Sequence, residues 1–498
     1  MSKLRLLVVV TACVGSWLWS PALRGAAWAR GPRPARNPVA VENRHAGSSG
    51  WVLTGRVADD RDDQIKGFAS ATSVGQGQTL SFSVSVNPAQ AWWMAIYRIG
   101  WYGGKGGRLL RGVGPRRGVH QPPCPADPAS GLISCPWSPS YTMRVPKAWT
   151  SGVYLAVLTN ARHYQNYVVF VVRDGRPAPL VFQQGVNTSQ AYNNYPDDQK
   201  TGKSLYPFNS YGPVTLAGDT RAVQVSFDRP YAGDGSGEFF DEDVYLIHWL
   251  ERSGYDVTYT TDVDTHEHGD SLGRHRGVLS GGHDEYWSQA MFDAAEAARD
   301  HGVSLGFFGA NAVYRQVRYA PSHGGVPDRV LVCYKDAALD PVQGPTTTVN
   351  WRDPPVNRPE QTLLGIQYNS NVDYDKNVPY VVTNARHWVY TGTGLHDGDR
   401  IPGIVGYEMD RAMPQYPSAP SRTGSQTLLS SSPFSDVDGQ ADVANSSIYQ
   451  APSGAWVFDA GTVSWSTGLD NLPDNTRADR RIQRITANLL RAFLHGAP

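Results

Sequence analysis

Between Asp174 and Pro179 the chain changes its hydrophobic period, and this change limits the possible folds more than any other feature. Before it, apolar residues recur at every second position. Residues 79–86, Thr-Leu-Ser-Phe-Ser-Val-Ser-Val, alternate strictly, and residues 93–98, 152–157 and 167–172 repeat short apolar runs between turn residues. Alternation with period two marks strands, and several short strands with Gly and Pro punctuation and no helical run predict an all-β sandwich over residues 50–174. The stretch Asp174-Gly175-Arg176-Pro177-Ala178-Pro179 is a linker by composition.

After the linker, strand and helix patterns alternate. Residues 180–182 read as a strand, and residues 238–253 as a helix with Phe240, Val244, Ile247 and Leu250 on one face and Gly254 at its end. Residues 255–259 are the next strand. A further apolar run ends in Ser280-Gly281-Gly282-His283-Asp284-Glu285-Tyr286-Trp287, after which Ser288 is an N-cap for a helix over residues 289–300. Residues 303–308 form another strand, turning at Gly309-Ala310-Asn311 into a further helical run. Residues 327–449 are an irregular, β-rich excursion, residues 454–465 a hairpin, and Ile482, Ile485, Leu489 and Phe493 share one face of a closing helix. Such alternation predicts an α/β domain over residues 177–498, a doubly wound parallel sheet with helices on its faces.

At 498 residues the chain exceeds what one core supports. Its 45 basic and 45 acidic side chains balance, which argues against nucleic acid or an anionic membrane as partner. Lys3 and Arg5, the apolar run from Leu6 to Trp19 and Ala27-Trp28-Ala29 read as a signal peptide over residues 1–29. The expectation is a secreted or cell-envelope protein with no transmembrane span after cleavage. Cys13 leaves with the leader. Cys124 and Cys135 bracket a Pro/Gly-rich loop and could pair in an oxidising compartment, whereas Cys333 reads as a buried strand thiol.

Several constellations compete as sites. Gly302-Val303-Ser304-Leu305-Gly306 spells a serine-hydrolase pattern, but a nucleophile elbow needs the serine after a strand, and here Ser304 lies within one. Residues 262–270 carry Asp262, Asp264, His266, Glu267, His268 and Asp270, which read as a solvated polar loop. The aromatic-glycine segment with Trp101 and Tyr102 is a packed hairpin or, alternatively, a carbohydrate platform. His283-Asp284-Glu285 differs from these because a strand end would aim it at the crevice where α/β sheets bind ligands. Asn311, at the next strand end, suits a hydrogen-bond donor to a carbonyl. The tyrosine-bearing loop of residues 187–206 would overhang the same crevice.

Asn187-Thr188-x-x-Ala191-Tyr192-Asn193, Gly202-Lys203-Ser204-Leu205-Tyr206, residues 280–287, Phe308-Gly309-Ala310-Asn311 and Gly454-Ala455-Trp456-Val457-Phe458 together resemble the large (beta) subunit of N,N-dimethylformamidase and its relatives. The resemblance implies a glutamine amidotransferase-like fold without the cysteine nucleophile. It also implies a mononuclear iron, Fe3+, held by two tyrosines and a glutamate: Tyr192, Tyr206 and Glu285, with Tyr195 a rival for Tyr192. His283 and Asn311 would stand beside the metal, with Lys335 and Glu408 as further catalytic positions. The implied activity is hydrolysis of the C–N bond of a small amide; the leader, a departure from that family, makes the expected hydrolase an exported one, with a homo-oligomer possible. The alternative is a non-catalytic surface or carbohydrate-binding protein that keeps the fold.

Overall fold

In the strand Gly152–Asn160, Gly152 through Leu158 are buried without a break, so both of its faces are covered. A computed structural model describing residues 37–472 and 475–497 shows what covers them. The expected leader, with Cys13, lies outside the described residues. On one face Tyr154, Ala156 and Leu158 pack with Phe82, Val84, Trp92, Met94, Ile96 and Phe170. These residues fill the space between a six-stranded sheet, ordered Arg56–Val57, Tyr164–Arg173, Gly152–Asn160, Ala91–Ile99, Gly107–Arg117 with Ser73–Gly75 beside Tyr164–Arg173, and a three-stranded sheet of Ile65–Ala69, Thr79–Val86 and Tyr141–Arg144. On the other face Val153, Leu155 and Val157 join the core of the chain that follows the linker.

That second core surrounds a seven-stranded sheet, ordered Val257–Thr261, Leu180–Gln184, Gly277–Gly282, Ser304–Gly309, Trp456–Asp459, Ser447–Gln450 and Thr427–Leu428. The first five strands are parallel, and Ser447–Gln450 runs antiparallel to both of its neighbours. Successive side chains point to opposite faces, as strand geometry requires. Leu180, Phe182, Leu279, Phe308 and Phe458 meet the helices Val244–Arg252 and Arg480–His495 on one side. Val181, Val278, Leu305, Phe307 and Val457 meet the helix Gln289–Asp300 on the other. Helices on both faces explain why these strands read as unbroken apolar runs. In chain order the sheet strands lie 2-1-3-4-7-6-5, so the direction of winding reverses between Leu180–Gln184 and Gly277–Gly282.

Four local expectations are corrected. Residues 262–268 form a helix, not a loop: the Thr261 side chain accepts from Asp264 N, and the Asp264 carboxylate accepts from Thr261 N. This reciprocal cap buries Asp262 and Asp264. Val186–Tyr192 is also helical. After Asn311 the chain enters the strand Arg315–Ala320 rather than a helix, because Asn311 and Val313 sit at positive φ and break any helical path. The helix read over residues 238–253 begins as a π-turn, Phe239–Asp243. Cys124 and Cys135 are bridged, and Cys333 is a buried free thiol. No helix among the described residues is long and apolar enough to cross a membrane.

The two strand sets are joined by a buried ion pair that the sequence did not signal. Arg98 donates to Glu251 through both terminal nitrogens, at 2.6 and 2.9 Å, and both side chains are fully buried. Glu251 also accepts from Tyr259 Oη at 2.7 Å and Asn43 Nδ2 at 2.8 Å, and Arg98 donates to Ser151 O at 2.8 Å. A buried pair with every lone pair engaged is tolerated; one partner alone is not. Glu251→Ala is therefore expected to lower unfolding free energy by about 3–5 kcal/mol in urea denaturation, and Arg98→Met combined with Glu251→Leu to lower it by less. A single variant as stable as the parent protein would contradict this role.

Candidate active site

The winding reversal places two strand ends side by side with their chains departing in opposite directions, which opens a crevice at the carboxyl edge of the sheet. Gly282 and Gly309 end adjacent strands so closely that a Cβ on Gly309 would lie 1.8 Å from Gly282 O. Beyond Gly282, three backbone contacts fix the next residues: Glu285 N donates to Thr188 Oγ1 at 2.9 Å, Val313 N to Asp284 O at 2.9 Å and Arg315 N to Glu285 O at 2.9 Å. Asp284 turns away from the crevice and is buried, accepting from Gln183 Nε2, Ser280 Oγ and Trp287 Nε1 at 2.7–2.9 Å. Glu285 faces the crevice with 1 % of its surface exposed.

Two phenols meet it there. Tyr192 ends the short helix after Gln184, and Tyr206 precedes the turn Pro207–Asn209. Leu205 N donates to Ala191 O at 2.9 Å, which holds the two segments together. The buried Arg229 donates to Lys203 O at 2.9 Å and Asn193 O at 2.7 Å, knitting the loop between them. Tyr192 Oη donates to Glu285 Oε2 at 3.0 Å, Tyr206 Oη lies 2.8 Å from Tyr192 Oη and 3.0 Å from Glu285 Oε2, and Tyr286 Oη donates to Tyr206 Oη at 2.6 Å. Tyr206 has one proton for its several acceptor neighbours. A knot of oxygens with more contacts than protons is the donor set a hard cation satisfies. Burial and the Glu285 charge hold both phenols well above the usual range, so without a cation they stay protonated.

On one side of this cluster stands an imidazole–carboxylate pair. His283 Nε2 lies 2.9 Å from Glu408 Oε2 and 3.4 Å from Glu285 Oε2. Burial opposes the imidazolium, but Glu408, Glu238 and Glu285 outweigh it and raise His283 well above the usual histidine range. Asn311 Nδ2 donates to Glu408 Oε2 at 2.8 Å, and its backbone N donates to Asp410 Oδ1 at 2.8 Å. On the other side lie Lys335, whose Nζ sits 3.2 Å from the Tyr206 ring centroid, and Arg315, 3.5 Å from Glu285 Oε1. Burial and the Arg315 charge lower Lys335 to about 7.

A family model described as "N,N-dimethylformamidase beta subunit-like, C-terminal" matches residues 93–478. The chain belongs to that family. Two relatives, each named N,N-dimethylformamidase beta subunit, are similar to it. The one from Alcaligenes sp is 24 % identical over 441 residues, covering 74 % of this chain and 55 % of the relative. The one from Paracoccus aminophilus is 25 % identical over 339 residues, covering 58 % and 42 %. The chain thus spans about half the length of the curated relatives it matches. Among solved structures, the N-terminal domain of mmIFT52 covers 49 % of this chain and 87 % of that one at 12 % identity and a TM-score of 0.26, too low to argue from.

The residues that the resemblance singled out, Tyr192, Tyr206, His283, Glu285, Asn311, Lys335 and Glu408, surround one point, although they come from six separate stretches of chain. Tyr195 does not join them: it packs on Trp137 and donates to Asp63. Ser304 begins its strand and its Oγ accepts from Trp456 N at 3.1 Å, so it has no place in the crevice. Tyr102 is 2 % exposed and donates to Glu42, a packed residue and not a sugar platform. Among the described residues no group of three His, Cys, Asp or Glu side chains could hold a metal; the candidate set depends on its phenols. Tyr286, Arg315 and Glu238 escaped the sequence reading. Tyr286 adjoins Glu285 in the motif, whereas nothing in the sequence pointed to Arg315.

Lys335 is held at positive φ by a second tier: its N donates to Thr348 O at 2.8 Å, and Thr348 Oγ1 and N donate to Asp340 Oδ2 at 2.6 and 2.7 Å. Burial alone would raise Asp340, but Arg318 and Thr348 bring it down from 3.8 to about 2. A carboxyl lowered on folding stabilises the fold above its unfolded value and loses that contribution as pH falls through the folded one. The stability difference between the parent protein and Asp340→Asn should therefore be constant above pH 5, about a unit past the free carboxyl, and shrink from about 4 down to about 2. A difference independent of pH across this window, measured by urea denaturation, would exclude the linkage.

Proposed function

We propose that the chain is an iron-dependent hydrolase of an amide C–N bond, exported, with a mononuclear Fe3+ held by Tyr192, Tyr206 and Glu285. The observation that carries this reading is the convergence of two partly buried phenols and one buried carboxylate to within 3.0 Å, in a chain of the dimethylformamidase beta subunit-like family. Phenolate and carboxylate are hard oxygen donors and suit a ferric ion. Such an ion, when bound, supplies Lewis acidity toward an amide carbonyl and toward water. The glutamine amidotransferase-like fold belongs to the same proposal, supported by the parallel strand order and the crevice at its reversal.

The chain's own groups would divide the remaining work. Hydrolysis puts water's hydroxyl on the acyl carbon and its proton on the leaving nitrogen. Glu408, held ionised by the His283 imidazolium beside it, takes a proton from water, and His283 gives one to the leaving nitrogen from Nε2, which faces the oxygen cluster. Asn311 keeps Glu408 in place and offers an amide N–H toward the carbonyl oxygen. Lys335 and Arg315 add positive charge where negative charge develops. Export is supported by the Cys124–Cys135 bridge, which suits an oxidising compartment. A small amide as substrate follows from the relatives' printed name.

Tyr206→Phe and Glu285→Gln, both near-isosteric, are expected to lose iron and to lower kcat/KM on formamides by about a hundred-fold or more, with folding retained by circular dichroism. Unchanged turnover in either variant would defeat the reading. Ser304→Ala is expected to keep turnover within about two-fold; its loss would revive the serine mechanism.

A further inference from the structure

Asn311 keeps its backbone at φ 51°, a left-handed conformation that persists only where the surroundings hold it. The strand Glu408–Arg411 holds it at two points. Asp410 Oδ1 accepts from the Asn311 backbone N at 2.8 Å, and Glu408 Oε2 accepts from Asn311 Nδ2 at 2.8 Å. Residues two apart on a strand point the same way, so Glu408 and Asp410 reach Asn311 together. The proposed chemistry uses Asn311 and Glu408, but Asp410 has no part in it.

Asp410 has a carboxyl partner. It and Asp459, the last residue of the strand Trp456–Asp459, are both 0 % exposed. Gly461 draws the two together: its O accepts from Asp410 N at 3.2 Å, and its N donates to Asp459 Oδ1 at 2.9 Å. Each carboxyl therefore has Oδ1 on a backbone N–H, while Oδ2 of each is buried and receives no hydrogen bond from a described N–H or hydroxyl. What these oxygens face is the other carboxyl. Two ionised carboxylates in contact away from water repel, whereas one proton between them satisfies both oxygens. Arg352, which acts on Asp410, is paired with Glu360 at 3.0 Å, and the other groups near Asp410, Glu408 and Tyr368, bring no positive charge. Among the described residues the only titratable group acting on Asp459 is Asp410. Burial raises Asp410 to about 7, and burial with the Asp410 charge raises Asp459 well above the usual carboxylate range. The proton accordingly rests on Asp459, and Asp410 accepts it.

We propose that Asp410 and Asp459 share one proton through their Oδ2 atoms and act as positioning residues for Asn311, so that its amide is held against Glu408 and toward the substrate carbonyl. The effect on rate rests on the amide-hydrolase reading; the shared proton does not. The pair needs one donor and one acceptor across its gap, whichever side supplies each. Replacing either carboxyl by its amide keeps that pattern, and replacing both sets two NH2 groups face to face.

The test is a cycle of Asp410→Asn, Asp459→Asn and the double variant, all near-isosteric, with iron-loaded protein and N,N-dimethylformamide. Each single variant is expected to hold kcat within about three-fold of the parent, and the double variant to lose about ten-fold or more with KM within about two-fold. A double variant as active as the singles, or one single variant as poor as the double, overturns the positioning. Infrared spectroscopy of the iron-free protein above about pH 7 reads the proton itself: a protonated-carboxyl band is expected in the parent and absent from Asp459→Asn. No such band, or one that Asp459→Asn leaves in place, overturns the shared proton even where the double variant does not fold. If the iron-loaded parent turns over no formamide, the hydrolase reading fails separately. The Asn311 amide resonance of asparagine-labelled protein then decides: moved in the double variant alone it keeps the pair, and unmoved it removes it.

Discussion

Hydrogen bonding of Gly277–Gly282 between Leu180–Gln184 and Ser304–Gly309 determines where everything else in the crevice can stand. Once these three strands are parallel and in register, their carboxyl ends form one edge, and whatever follows each strand must begin there. Tyr192 follows the first, Glu285 the second and Asn311 the third. Their separation in sequence, up to 119 positions from Tyr192 to Asn311, is irrelevant to their separation in space. The absence of a side chain at Gly309 is part of the same constraint, since a Cβ there would collide with Gly282 O and push the two strand ends apart.

The crevice also divides charge. Glu408, which the His283 charge keeps below the usual carboxylate range, lies on the His283 side, and Lys335 and Arg315 lie on the tyrosine side. In a low-dielectric site such a division sets protonation before any ligand arrives: His283 is held charged and Lys335 is brought to about 7. The two phenols between these fields stay protonated. The sandwich-side strands contribute indirectly. The loop closed by Cys124 and Cys135 braces the segment after Tyr206, through Val223 N to Ser130 O at 2.8 Å and Leu216 N to Ala129 O at 3.0 Å.

Local periodicity made the long elements legible. The helix Gln289–Asp300 begins at its Ser288 cap and the helix Arg480–His495 buries Ile482, Ile485, Leu489 and Phe493, because an amphipathic stripe with caps leaves few alternatives. Short elements were not legible. The helix Asp262–His268 has no apolar stripe and exists through one reciprocal cap, and the strand Arg315–Ala320 forms because Tyr286–Ser288 and Val330–Val332 lie beside it. The motifs around Tyr192, Tyr206, His283 and Glu285 pointed to the site because each combines polar groups with a strand end. Arg98 and Glu251 could not be matched across 153 positions by any local rule.

The central claim is that Tyr192 and Tyr206 become iron ligands together. Resonance Raman spectroscopy of the iron-loaded protein, excited within its visible absorption, reads this directly. The account predicts tyrosinate ring vibrations in the parent protein, weakened in Tyr192→Phe and in Tyr206→Phe and absent in the double variant. Bound iron that shows no tyrosinate vibrations, or vibrations unaltered when both tyrosines are replaced, would contradict it.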